Sequence, residues 1–105
     1  MRKPDTATLE KKATELAALL RLFANEHRLL ILCHLATHGE TTVTALSAAI
    51  GLSQSASSQH LDKLRGEGLV AFRRDSQTIW YRIADPRIEE LFSTLHRLFC
   101  GRRGR

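Results

Sequence analysis

The chain has 105 residues, with 16 Lys plus Arg against 11 Asp plus Glu and a net charge of +5. That length suits one domain with a small core. A content of 43% hydrophobic and 26% charged residues excludes a disordered, collagen-like or disulfide-scaffold chain, and the positive charge favours an anionic partner, nucleic acid first.

Arg2, Lys3, Asp5, Glu10, Lys11, Lys12, Glu15 and Arg21 break up any apolar leader at the front of the chain. No run approaches the roughly 20 apolar residues of a membrane span. A cytoplasmic protein with no membrane partner is expected. Residues 6–100 are expected to form the domain, with 1–5 and 101–105 as flexible ends.

A first helix is expected from Thr6, because Leu9, Ala13, Leu16, Leu20 and Phe23 fall on one helical stripe. Asn25 either ends it or caps a second helix over Glu26–Thr37, which Gly39 stops. Thr41-Thr42 offers an N-cap for a short helix from Val43 to Ile50, closed by Gly51. Ser53 then caps a fourth helix reaching about Gly66, and Gly68 ends it. Beyond Gly68 the residues become β-branched and aromatic. Leu69–Arg73 and Thr78–Ile83 flank the polar turn Arg74-Asp75-Ser76-Gln77 and read as a β-hairpin. Asp85-Pro86 opens a last helix with the stripe Ile88, Leu91, Phe92, Leu95 and Phe99. The fold class is thus mainly α with a β-hairpin, in the order α-α-α-α-β-β-α. So small an interior can hardly absorb both the first and the last stripe. A homodimer through those two helices is the expectation, and two helices covering one monomer core is the alternative.

The third and fourth helices read as a helix-turn-helix. Ala45, Leu46, Ala49 and Ile50 are expected to face inward, Gly51 to take the turn and Leu52 to plug the corner. Ala56, Leu61 and Leu64 anchor the fourth helix. Gln54, Ser55, Ser57, Ser58, Gln59 and His60 then offer short or amide groups suited to base edges and phosphates in a major groove. A merely solvated polar face is the bland alternative. The hairpin would be a wing, with Arg73, Arg74, Gln77 and Arg82 placed for phosphates or a minor groove. Lys63 and Arg65 could add backbone contacts, while a solvated edge strand is again the alternative.

The segments Asn25–Leu32, Ser58–Arg65, Gly68–Val70 and Ile79–Arg82 resemble the ArsR/SmtB family of winged helix-turn-helix repressors, and the resemblance covers nearly the whole chain. It implies a homodimer that binds double-stranded operator DNA with inverted repeats and leaves it when an inducer acts. Metal-sensing members carry a Cys-x-Cys pair in the third helix, whereas Val43–Ile50 has neither Cys nor His. Members with ligands on the last helix need pairs that are absent here: Asp85 is followed by Pro86 and Arg87, and His96 by Arg97, Leu98 and Phe99.

Cys33 and Cys100 remain, and their settings are similar to the persulfide-sensing branch of that family. The resemblance implies that reactive sulfur species link the two thiols and lower DNA affinity, with no cofactor. Two neighbouring thiols are the minimum for that chemistry. Buried bystander thiols are one alternative. A metal site using His34 and His38, at i and i+4 on one helix, with a cysteine is another. No Gly-rich phosphate loop or paired carboxylates point to an enzyme.

Overall fold

The computed structural model describes residues 6–100, so the two ends expected to be flexible lie outside the described residues. Five helices and one hairpin follow the expected order: α1 (Thr6–Phe23), α2 (Glu26–His38), α3 (Val43–Ile50), α4 (Gln54–Gly66), β1 (Val70–Asp75), β2 (Thr78–Ile83) and α5 (Pro86–Phe99). Among the described residues no helix is long and apolar enough to cross a membrane.

Short polar side chains set the helix starts by satisfying otherwise orphaned backbone N–H groups. Asn25 caps α2, its Oδ1 accepting from His27 N at 3.0 Å and Arg28 N at 3.1 Å. Thr42 Oγ1 accepts from Ala45 N at 3.1 Å, Ser53 Oγ from Ala56 N at 3.0 Å and Asp85 Oδ1 from Arg87 N at 2.9 Å. The cap of α3 is therefore Thr42. Its neighbour Thr41 is buried and pairs with Tyr81, donating through N at 3.0 Å and accepting through O at 2.8 Å.

The core is a single cluster. Ile31, Leu32 and Leu35 of α2 meet Ile88 and Phe92 of α5, Leu46 of α3, Leu61 and Leu64 of α4, and Val70 and Tyr81 of the hairpin. Phe23 at the end of α1 packs edge-on against Phe92, with ring centroids 5.1 Å apart. Burying one such side chain contributes roughly 1.5–3 kcal/mol.

This core leaves much of both outer stripes uncovered. Leu9, Leu16 and Leu20 of α1 are exposed, and Phe23 alone of that stripe is buried. On α5, Ile88 and Phe92 face inward and Leu95 is half-buried. Leu91 lies at the margin and Phe99 is 81% exposed.

The inward face of α3 differs from the expected one. Ala45 and Ala49 are exposed; Leu46 and Ser47 are buried, with Val43 and Ile50 half-buried beside them. These four positions have the i, i+3, i+4, i+7 spacing of one helix face. Ser47 fits there because its Oγ donates to Ser57 Oγ at 2.8 Å across the α3–α4 contact. Ser57 has no exposed surface, so it is a packing residue and not one of the groove-facing serines the sequence suggested.

Removing one hydroxyl of this pair should strand the other. Ser57→Ala should cost about 1–3 kcal/mol. Adding Ser47→Ala should cost less than a second such increment, because both polar groups are then gone. Urea unfolding of the two singles and the double measures this. Full additivity, or weakened DNA binding without lost stability in Ser57→Ala, would count against the packing role.

Candidate nucleic-acid interface and dithiol site

The turn between α3 and α4 depends on Gly51. Its φ of 74° and ψ of 33° lie in the left-handed region that residues with a Cβ disfavour. Gly51 N and Leu52 N both donate to Ser47 O, at 2.9 and 3.1 Å, closing the corner. Helix α4 is then held by the buried Ser57, Leu61 and Leu64. Gln54, Ser55 and Gln59 stand on its exposed side, with Ser58 half-buried among them. Their amide and hydroxyl groups can both donate and accept, as base edges require.

His60 points toward α2 and is half-buried. Arg28 Nε donates to its Nδ1 at 3.4 Å, and the His27 ring lies 5.8 Å away. Arg28 is itself anchored by donating through Nη1 to Leu22 O at 3.1 Å. Receiving a bond at Nδ1 leaves the neutral imidazole its N–H on Nε2. Burial lowers the His60 pKa, and the Arg28 and His27 charges lower it further.

The hairpin pairs antiparallel from Val70↔Ile83 to Asp75↔Thr78. Its turn is shorter than expected: Ser76-Gln77 alone make it, with Ser76 at φ 60°, while Arg74 and Asp75 belong to β1. Val70 and Tyr81 root the base in the core. Arg74, Gln77 and Arg82 are exposed, and Arg74 forms no ion pair among the described residues. Arg73 differs. Its Nε and Nη2 donate to Glu40 Oε2 and Oε1 at 2.8 and 2.9 Å, and its guanidinium lies 5.7 Å from the Trp80 ring centre. Arg73, read from the sequence as a wing residue for phosphates or a minor groove, is thus paired with Glu40. Glu40 carries no local mark in the sequence, because its partner lies in a distant strand. On the opposite face Arg65 stacks 5.2 Å over Phe72, joining α4 to the wing.

The two thiols occupy different environments. Cys33 is half-buried on α2, packed against the core, and Cys100 is exposed as the C-terminal cap of α5. Both are free. Helices α2 and α5 pack directly against each other. Burial pushes the Cys33 thiol pKa up, and negative charge on Cys100 pushes it the same way. An open apolar groove of about 450 Å³, lined by Ala24, Asn25, Glu26, Leu29 and Leu30, adjoins Cys33.

His34 and His38 stack on each other with ring centroids 4.3 Å apart. Burial, then the neighbouring His38, lowers the His34 pKa. Neither belongs to a group of three or more His, Cys, Asp or Glu able to hold a metal among the described residues.

A helix-turn-helix with an appended β-wing is the architecture of a DNA-binding regulator. The profile of the bacterial regulatory protein, arsR family, matches residues 25–71. The chain is 44% identical over 92 residues to the transcriptional activator HlyU of Vibrio cholerae, covering 88% of this chain and 84% of that protein. It is 40% identical over 93 residues to the biofilm growth-associated repressor of Agrobacterium fabrum, covering 89% and 79%. The crystal structure of the transcriptional repressor BigR from Xylella fastidiosa superposes with a TM-score of 0.80 at 35% identity, covering 92% of this chain and 98% of that one. The chain belongs to the ArsR family of winged-helix transcriptional regulators. These relatives regulate transcription, and the chain is likewise a regulator rather than an enzyme.

The depressed His60 pKa fixes the sign of a pH effect. The unfolded chain takes up the proton first as pH falls, near the usual histidine value of about 6.5. His60 therefore contributes stability that is complete above that value and is lost as pH drops through it toward the lower folded pKa. His60→Gln should flatten the stability–pH curve below pH ~6.5, with His34→Gln removing a separate part of the slope. Urea midpoints across this range test it, and a His60→Gln curve parallel to wild type would refute the assignment.

Proposed function

We propose that the chain is a dithiol-switched repressor. In this reading the reduced homodimer binds operator DNA with inverted repeats, and reactive sulfur species release it by joining Cys33 to Cys100. One observation carries the proposal: two free thiols, far apart in sequence, are brought to a directly packed helix pair, Cys33 within α2 and Cys100 capping α5.

The chemistry balances with a persulfide as oxidant. One cysteine thiolate attacks the outer sulfur of RSSH, and RSH leaves. The resulting cysteine persulfide is attacked at its inner sulfur by the second thiol, which expels hydrosulfide and closes the S–S bond. Two thiols lose two electrons, and the sulfane sulfur ends as sulfide. Further sulfane sulfur inserted before closure would give a longer bridge.

The DNA-reading set in this proposal is Gln54, Ser55, Ser58 and Gln59 on α4, with His60 at its edge and Arg74 and Gln77 on the wing. The homodimer would bury the exposed Leu9, Leu16 and Leu20 of α1 with Leu91, Leu98 and Phe99 of α5. This accounts for stripes that the monomer core leaves uncovered. Cys100 ends the same helix. A bond from it to α2 would therefore bear on the dimer interface and on the spacing of the two α4 helices, which operator half-sites read.

Wild-type protein treated with glutathione persulfide in a chelator should lose DNA affinity by about 5- to 150-fold. Its intact mass should show an internal Cys33–Cys100 sulfur bridge. Cys33→Ser and Cys100→Ser should bind DNA like wild type and keep that affinity after treatment. Release of Cys100→Ser at the wild-type dose would refute the mechanism, and so would a bridged wild-type protein of unchanged affinity.

A further inference from the structure

An antiparallel hairpin of two strands has little stability of its own, so its attachments decide where its tip points. Val70 and Tyr81 fix one end in the core. The Thr41–Tyr81 bridge secures the outer edge of β2 to the segment leaving α2. The Glu40–Arg73 pair acts farther out, midway along β1, with two charge-assisted bonds of 2.8 and 2.9 Å. Glu40 stands one residue from Thr41, so bridge and ion pair form one attachment between the end of α2 and the hairpin. The guanidinium also lies over the ring of Trp80, its cross-strand partner, on one face of the hairpin. The other charges facing Glu40 and Arg73 are Arg82, close enough to lower the Glu40 pKa, and Asp75, 4.0 Å from Arg73 Nη1.

We propose that Glu40 and Arg73 are positioning residues: their bidentate pair straps the wing to the end of α2 and aims Arg74 and Gln77 at DNA. Arg73 then acts on the wing's orientation and touches no phosphate. The inference rests on the DNA-reading set proposed above. The strap grips β1 three residues before the turn, roughly 10 Å from the tip at about 3.3 Å per residue. A small rotation about the core-bound end therefore moves the tip residues sideways. Planar fork-to-carboxylate geometry resists that rotation, as a single Lys–carboxylate bond would not.

The test uses the full chain and one DNA duplex selected by the wild-type protein from a random-sequence pool. Affinity is measured over a salt series for wild type, Glu40→Gln/Arg73→Gln, Arg73→Lys and Arg74→Gln. The double variant keeps the wild-type net charge. It should bind about two- to fivefold more weakly, the range open to an exposed ion pair, with a salt slope between those of wild type and Arg74→Gln, because a misaimed wing loses only the contacts that Arg74 makes. Arg73→Lys keeps the charge but removes the fork, so it should weaken binding in the same way. Arg74→Gln should lower the slope by about 0.9 for each phosphate that Arg74 neutralises in the wild-type complex.

Wild-type affinity in Arg73→Lys together with a lowered slope in the double variant would make Arg73 a phosphate ligand and overturn the proposal. Wild-type affinity in both would overturn it too, because the wing would then need no strap. An unchanged slope in Arg74→Gln would count against a wing that meets phosphate, and with it against the aim the strap is said to provide. Thermal melts confirm that each variant is folded at the assay temperature, so a loss of affinity reports positioning.

Discussion

The structure depends on the burial of one face of α2. Ile31, Leu32 and Leu35 form its inward seam, and α5, α3, α4 and the hairpin contribute to the same cluster. With only a dozen buried apolar residues among the described residues, removing any part of that seam would loosen several elements together. Its polar connections radiate from the same helix. Near its start Arg28 reaches His60 on α4, and just past its end Glu40 and Thr41 hold the wing. Cys33 lies between these two ends. The thiol is therefore carried by the element that supports both α4 and the hairpin.

Charge is distributed to suit that arrangement. Several basic side chains that look equivalent in the sequence have different partners in the fold. Arg73 is paired with Glu40, Arg28 is anchored on a backbone carbonyl and a histidine, and Arg65 lies over Phe72. Arg74 is exposed without an ion pair among the described residues. A net charge of +5 thus describes attraction to an anionic surface, while the register of that attraction is left to a few side chains held in place. In the proposed reading the uncharged side chains at the start of α4 complement this, because amides and hydroxyls discriminate base edges where charge alone cannot.

The outer helices follow a different logic. Their apolar residues exceed what one small core can cover, so leucines of α1 and the end of α5 stay at the surface. Cys100 caps the end of that apolar helix, which packs against the helix that carries the half-buried Cys33. Sulfur chemistry there would act on a joint between core and periphery, where a modest change in packing has leverage on the position of the reading heads.

Much of this was legible in the sequence. Helical periodicity, caps at Asn25, Ser53 and Asp85, the left-handed turn at Gly51 and the β-branched run after Gly68 are local signals, so the order of elements could be read residue by residue. The candidate cysteines and the polar face of α4 were visible for the same reason. Interactions between elements were not. Ser57 looks like its neighbours Ser55 and Ser58 until α3 folds against α4 and Ser47 takes its hydroxyl. Arg73 looks like Arg74 until the α2–α3 segment brings Glu40 to it. The elements themselves are encoded by residues a few positions apart, which is why they can be read from the chain. Which of several like side chains turns to packing and which faces outward emerges only in the folded molecule, because a hydrogen bond or ion pair between distant segments exists only once the core has brought them together.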